Sequence, residues 1–145
     1  MPRQHPAVRH NPIDSAHRPM NLDHMTILVA SLAVSMPYYD RLLPLLGLRK
    51  LKDHVWTDGE RFYFQFMEAR EDARPYQRYG AGMNHLGFSV PSAQAVTAIR
   101  DEMQRAGFAV PEIQNLGGVT ALFMKDPDGI RFEISHYPPG TSVVD

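Results

Sequence analysis

The chain has 145 residues, no cysteine and a formal charge of -1, which describes one globular domain of ordinary size and excludes disulfides, thiolate metal sites and cysteine nucleophiles. Without a Lys/Arg-rich block there is no electrostatic footprint for nucleic acid or an anionic membrane. No apolar run is long enough to span a bilayer, and the N-terminus lacks the apolar core of a secretory signal, so the expectation is a cytoplasmic protein whose partners are small molecules.

Residues 1–19 hold four prolines and neither a helical nor an alternating pattern, and they read as a tail. His5, His10 and His17 within it fit neither one helix face nor a tight chelating turn. The domain begins near Met20. Residues 21–29, NLDHMTILV, alternate as a strand, and residues 31–47 read as a loop and a helix ending at Gly47. Pro37 suits a first turn, whereas Pro44 distorts the last. Next come LRKLKDHVWT (48–57), the turn pair Asp58-Gly59 and the alternating strand RFYFQFMEA (61–69). After a polar linker the series restarts with MNHLGFSV (83–90) and a helix that Ser92 caps and Gly107 stops. FAVPEIQN, VTALFMK, the turn DPDG and IRFEISHY follow, and residues 139–145 form a second tail.

Each half thus reads strand, helix, strand, strand, strand. His24 and His85 are 61 residues apart, Gly47 and Gly107 60, and Gly59 and Gly129 70, the last spacing absorbing one longer loop. Neither half can bury much alone, so the two copies should complete one core together. Strand parity then sorts the side chains. One face carries His24, Tyr63, Gln65, His85, Arg131 and Glu133, and the other carries the apolar residues that pack on the helices. Two imidazoles and a carboxylate on a polar concavity make a set that holds a divalent metal and leaves positions open for water and substrate.

The paired units, with LDHMTILV, NHLGFSV and DPDGIRFEIS as landmarks, resemble the vicinal oxygen chelate superfamily, which includes glyoxalase I, bleomycin-resistance proteins, fosfomycin-resistance enzymes and extradiol dioxygenases. The resemblance covers about residues 20–138. It implies an α+β fold in which two βαβββ modules, about 20–69 and 82–138, form a curved mixed β-sheet around a central cavity, often as a homodimer with exchanged or shared modules. Carried over residue by residue, His24, His85 and Glu133 match the metal ligands, and one divalent ion (iron, manganese, nickel or zinc) is the implied cofactor. At the fourth metal-facing position, where glyoxalase I has a glutamate, this chain has Tyr63, with Gln65 next on that face. Neither is a good base, and Glu68 lies by parity on the opposite face.

The resemblance therefore implies a metal-dependent small-molecule enzyme whose ion chelates two vicinal oxygens of the substrate, with lyase, isomerase, thiol transferase and dioxygenase chemistry all open. Tyr63 is the candidate proton or hydrogen-bond donor, and Gln65 lies beside it. Arg61 and Arg131 are candidates to orient an anionic group. Trp56 and Phe123 are candidates for an apolar wall, with core packing the competing role for Phe123. The alternative is a metal-free, ligand-sequestering protein of the bleomycin-resistance type.

Overall fold

Two serines and two glycines bracket the helices. In the computed structural model, which describes residues 21–141, α1 (Leu32–Leu45) follows Ser31, whose hydroxyl accepts the Val34 N–H, and α2 (Ala93–Arg105) follows Ser92, whose hydroxyl accepts the Ala95 N–H. Each serine satisfies a donor that no helical carbonyl can reach. At the other ends, the N–H groups of Leu48 and Phe108 turn back to the carbonyls of Leu43 and Met103. That closure needs a left-handed residue, supplied by Gly47 (φ 83°) and Gly107 (φ 88°). Pro37 lies in the second turn of α1 rather than the first, and Pro44 lies in its last turn. Each withdraws an N–H from the ladder. The helix persists because Tyr38, Tyr39, Leu42 and Leu43 along it are buried.

The strands fall into two four-stranded mixed sheets of the same topology. In the first, β1 (His24–Val29) runs parallel to β4 (Tyr63–Glu68), which pairs antiparallel with β3 (Val55–Thr57) and through it with β2 (Arg49–Lys52). In the second, β5 (Leu86–Ser89) runs parallel to β8 (Arg131–His136), which pairs antiparallel with β7 (Val119–Lys125) and through it with β6 (Gln114–Leu116). The α+β class and the two βαβββ modules are as read from the sequence. Residues 48–57 divide at Asp53-His54, where His54 takes a φ of 62°. The strand expected from Arg61 starts instead at Tyr63, because one Asp58 oxygen accepts the N–H groups of Glu60, Arg61 and Phe62 and holds them in a turn. The N-terminal tail with its three histidines and the end of the C-terminal tail lie outside the described residues, and among the described residues no helix is long and apolar enough to cross a membrane.

Both sheets turn their apolar faces to one shared core. Ile27, Val29, Phe64 and Phe66 come from the first sheet and Leu122, Met124, Phe132 and Ile134 from the second, with the buried faces of both helices among them. Tyr39 stands at the join, its ring centroid 4.2 Å from that of Phe66 and 5.7 Å from that of Phe132. Its hydroxyl donates to Asp126 Oδ2 at 2.6 Å, while Asp126 Oδ1 accepts the N–H groups of Asp128 and Ile130. Asp128 in turn accepts the Ala30 N–H at 2.8 Å. The DPDG turn of the second module is thus tied to the end of β1 and to α1 in the first. Burial holds the Asp126 carboxyl above its usual range, and burial with the neighbouring Asp126 pushes the Tyr39 phenol well up.

Tyr39→Phe keeps the ring packing and removes the one side-chain donor that Asp126, a buried carboxylate, has among the described residues. Urea unfolding should show a loss of about 1–3 kcal/mol. A loss below a few tenths would mean that the cross-module bond is not a stabilising contact.

Candidate functional site

Since the apolar faces meet in the core, the second face of each sheet turns away from it, largely exposed on the first sheet and partly covered on the second, where Ala121 and Ser135 are buried. On the second sheet that face holds His85, just before β5, and Glu133 in β8. Glu133 is clamped: Ser135 Oγ donates to its Oε1 at 2.6 Å and the Tyr137 hydroxyl donates to the same oxygen at 3.0 Å. Burial and then the Glu133 carboxylate raise the Tyr137 phenol above its ordinary range. The other oxygen, Oε2, lies 3.1 Å from His85 Nε2. His85 Nδ1 faces Asn84 Oδ1 at 2.7 Å, and the Asn84 amide is oriented by its donation to the Arg78 carbonyl at 3.0 Å. Acceptor oxygens thus face both ring nitrogens, and with its proton on Nδ1 the ring would present a lone pair at Nε2.

At 3.1 Å from the carboxylate oxygen, Nε2 either donates a proton to it or, with its lone pair free, shares a cation with it. The spacing also suits adjacent ligands on one divalent ion, each about 2.0–2.2 Å from it. The residues present therefore fit a metal.

The equivalent face of the first sheet carries His24, Thr26 and Leu28 on β1 and Tyr63, Gln65 and Met67 on β4, with His24 in register with Tyr63 and Thr26 with Gln65. Asp23 Oδ2 accepts from His24 Nδ1 at 2.6 Å, repeating at a carboxylate what Asn84 does at an amide. A shallow cavity of ≈ 370 Å³ is lined by Asp23, His24, Leu51, Val55, Tyr63 and Gln65. Leu28, Leu51 and Met67 on and around this face are about half exposed.

The site residues read from the sequence thus divide between two faces. His85, Glu133, Phe123 and Arg131 stand on the second sheet, where Phe123 is in register with Glu133 and its ring lies edge-on to His85 at 6.3 Å between centroids. His24, Tyr63 and Gln65 stand on the first. Among the described residues, no group of three His, Cys, Asp or Glu side chains is drawn together as a metal site. Arg61 lies exposed in the turn before β4, beside Asp23 and Tyr63 in a cavity of ≈ 480 Å³. Trp56 corrects an expectation: it is in register with Phe64, points into the core and is 3% exposed, so it cannot line an open face. Lys50 lies over its ring instead. Asn84, Ser135 and Tyr137 join the site through their hydrogen bonds to His85 and Glu133; parity sets Ser135 on the face of Glu133, and Tyr137 follows two residues on.

A family model described as Glyoxalase/Bleomycin resistance protein/Dioxygenase superfamily matches residues 21–134. No curated protein sequence matches the chain. Among solved structures, a glyoxalase-like protein from Bacillus halodurans is 24% identical with a TM-score of 0.70, covering 80% of this chain and 95% of its own. A glyoxalase/dioxygenase from Nostoc punctiforme is 17% identical with a TM-score of 0.64, covering 88% and 99%. The fosfomycin resistance protein FosX from Mesorhizobium loti is 16% identical with a TM-score of 0.59, covering 82% and 93%. At these identities the likenesses establish the fold.

Gly87 is in register with Glu133 on the open face, and a Cβ built there meets nothing within 4 Å. Its backbone is not in the left-handed region, so the fold itself does not require glycine; a glycine inside a strand marks space kept for a close approach. Gly87→Ala should therefore raise stability by roughly 0.5–1 kcal/mol in urea unfolding. A loss of stability of similar size would show that the strand, and not the open space, fixes the glycine.

Proposed function

Because the chain belongs to the Glyoxalase/Bleomycin resistance protein/Dioxygenase superfamily, we propose that it is a metal-dependent enzyme acting on a small molecule through two vicinal oxygens, its divalent ion held by His24, His85 and Glu133. The observation that carries this reading is the His85–Glu133 pair. An imidazole nitrogen and a carboxylate oxygen lie 3.1 Å apart, one fixed from behind by Asn84 and the other by Ser135 and Tyr137, as metal ligands are held by their outer partners. His24, anchored by Asp23 in the same manner, supplies the third ligand. Iron, manganese, nickel and zinc all accept such a set. When bound, the ion supplies Lewis-acid stabilisation of negative charge on the substrate oxygens.

The protein's own groups do the rest. Tyr63, in register with His24, is placed to donate a proton or hydrogen bond to substrate, and the Gln65 amide can orient an oxygen but not abstract a proton. Glu68, the one carboxylate of β4, lies exposed at the strand's end on the side of Phe64 and Phe66, where it accepts the Leu32 N–H at the start of α1. A carboxylate base is thus missing from the position where glyoxalase I has one, which favours addition, transfer or oxygen chemistry over enediol isomerisation. Phe123 forms an apolar wall beside His85, and Arg61 stands at the rim of the His24 face.

The complete ligand set forms in a homodimer. β1 and β5 are the outer strands of their sheets, and the outer edge of β1 borders a cavity of ≈ 600 Å³ walled opposite by parts of residues 74–83. A two-fold pairing that sets β1 of one copy beside β5 of the other brings the His24 face of the first onto the His85–Glu133 face of the second, twice per dimer. The half-exposed Leu28, Leu51 and Met67 would line or border the enclosed space. Those apolar side chains also support the second reading, a dimer that sequesters a flat ligand without a metal.

Elemental analysis of protein purified without chelators should find about one divalent ion per chain, lost in His85→Ala and in Glu133→Ala. No metal after reconstitution with iron, manganese, nickel and zinc would leave the sequestering reading. Shared sites make a further prediction. Unfolding and refolding an equal mixture of His24→Ala and His85→Ala chains should restore about a quarter of the wild-type metal content, because half the dimers are hybrids and each hybrid has one intact site. Sites contained within single chains would regain none.

A further inference from the structure

On the second sheet Lys125 of β7 and Arg131 of β8 are directly opposite each other. Like charges in that relation repel, and among the described residues neither has a carboxylate within ion-pair distance. Arg131 Nε is also shut off from solvent without a hydrogen-bond acceptor. That buried N–H without an acceptor is a cost to the fold, and the guanidinium's terminal nitrogens, which are not buried in this way, remain as donors for an anion. The pair stands on the same face as Glu133, two residues along β8 from it, a step of roughly 6.5–7 Å. Extending the parallel register of β5 and β8 by one residue sets Arg131 beside His85 as well. The fold gains nothing from two opposed cations here, and local choices that work against stability are expected where a ligand is bound.

We propose that Lys125 and Arg131 bind an oxyanion of the substrate, a carboxylate, phosphonate or phosphate, so that the substrate is a small anion whose vicinal oxygens lie within one strand step of its charged end. This rests on the metal reading for the location of those oxygens, but the anion pair is testable without it. Arg131 offers a planar fork to two oxygens of the group, and Lys125 adds a point charge from the neighbouring strand.

The test is NMR titration of the full chain with inorganic phosphate and, separately, with acetate, following the Arg131 Nε–H and Lys125 signals. Elemental analysis is run on the same samples. Saturable shifts at both residues are expected. Lys125→Met and Arg131→Met should each weaken phosphate binding about tenfold or more, and Arg131→Lys, which keeps the charge and loses the fork, should fall between. Saturation by phosphate alone supports a phosphorus oxyanion, and saturation by acetate as well supports a carboxylate. Metal content should match wild type in the Lys125→Met variant, whose melting temperature should equal or exceed that of wild type because a repulsion is removed. Metal retained with no saturable response, or variants that titrate as wild type does, would overturn the anion pair alone. A strongly lowered melting temperature for Lys125→Met would overturn it too, by making the lysine structural. Metal absent with the phosphate response intact would overturn the metal centre and leave the pair standing.

Discussion

A sheet covered by a helix has one dry face, and in this chain both dry faces are the same core. That constraint decides everything that lies outside it. Tyr39 fills the centre, touching aromatic rings from both sheets, and its hydroxyl reaches the buried Asp126 of the other module. Neither sheet can turn its polar face inward without exposing Phe64, Phe66, Phe132 or Ile134 to water, at about 1.5–3 kcal/mol for each large side chain. The open faces are therefore directed away from the core by the same packing that makes the two modules one body.

The DPDG turn shows how a local signal acquires a long-range role. Its aspartates look like ordinary turn residues, which accept nearby backbone N–H groups, and Asp126 does accept two of them. Its second oxygen and that of Asp128 go instead to Tyr39 and Ala30 of the first module. The turn that leads into the Glu133 strand is also the clasp between modules, so that strand is entered from a turn held by a buried hydrogen bond to the other module.

Much of the fold was legible because it rests on short-range rules: alternation for the strands, Ser31 and Ser92 for helix starts, Gly47 and Gly107 for their ends. Parity also gave the correct face for His24, Tyr63, Gln65 and Glu133, and set Glu68 on the opposite face from Tyr63 and Gln65. Trp56 was misassigned as a candidate wall. It lies in a strand of three residues, reached through the left-handed His54 and an irregular step between Lys50 and Lys52, and one step of register flips a side chain to the other face. Arg61 left the strand because of a side-chain acceptor at Asp58, which no hydrophobic period records. How the two polar faces stand to each other was likewise out of reach, since it depends on which apolar surfaces share a core and not on any one segment.

The two histidine anchors have a consequence of their own. Asp23 presents a carboxylate to His24, while Asn84 presents a neutral amide to His85. A carboxylate draws the ring proton toward itself more strongly and leaves the far nitrogen the better electron donor. The duplicated motif has thus diverged into unequal halves. The two equivalent histidines are held unequally, one by a charged acceptor and one by a neutral amide.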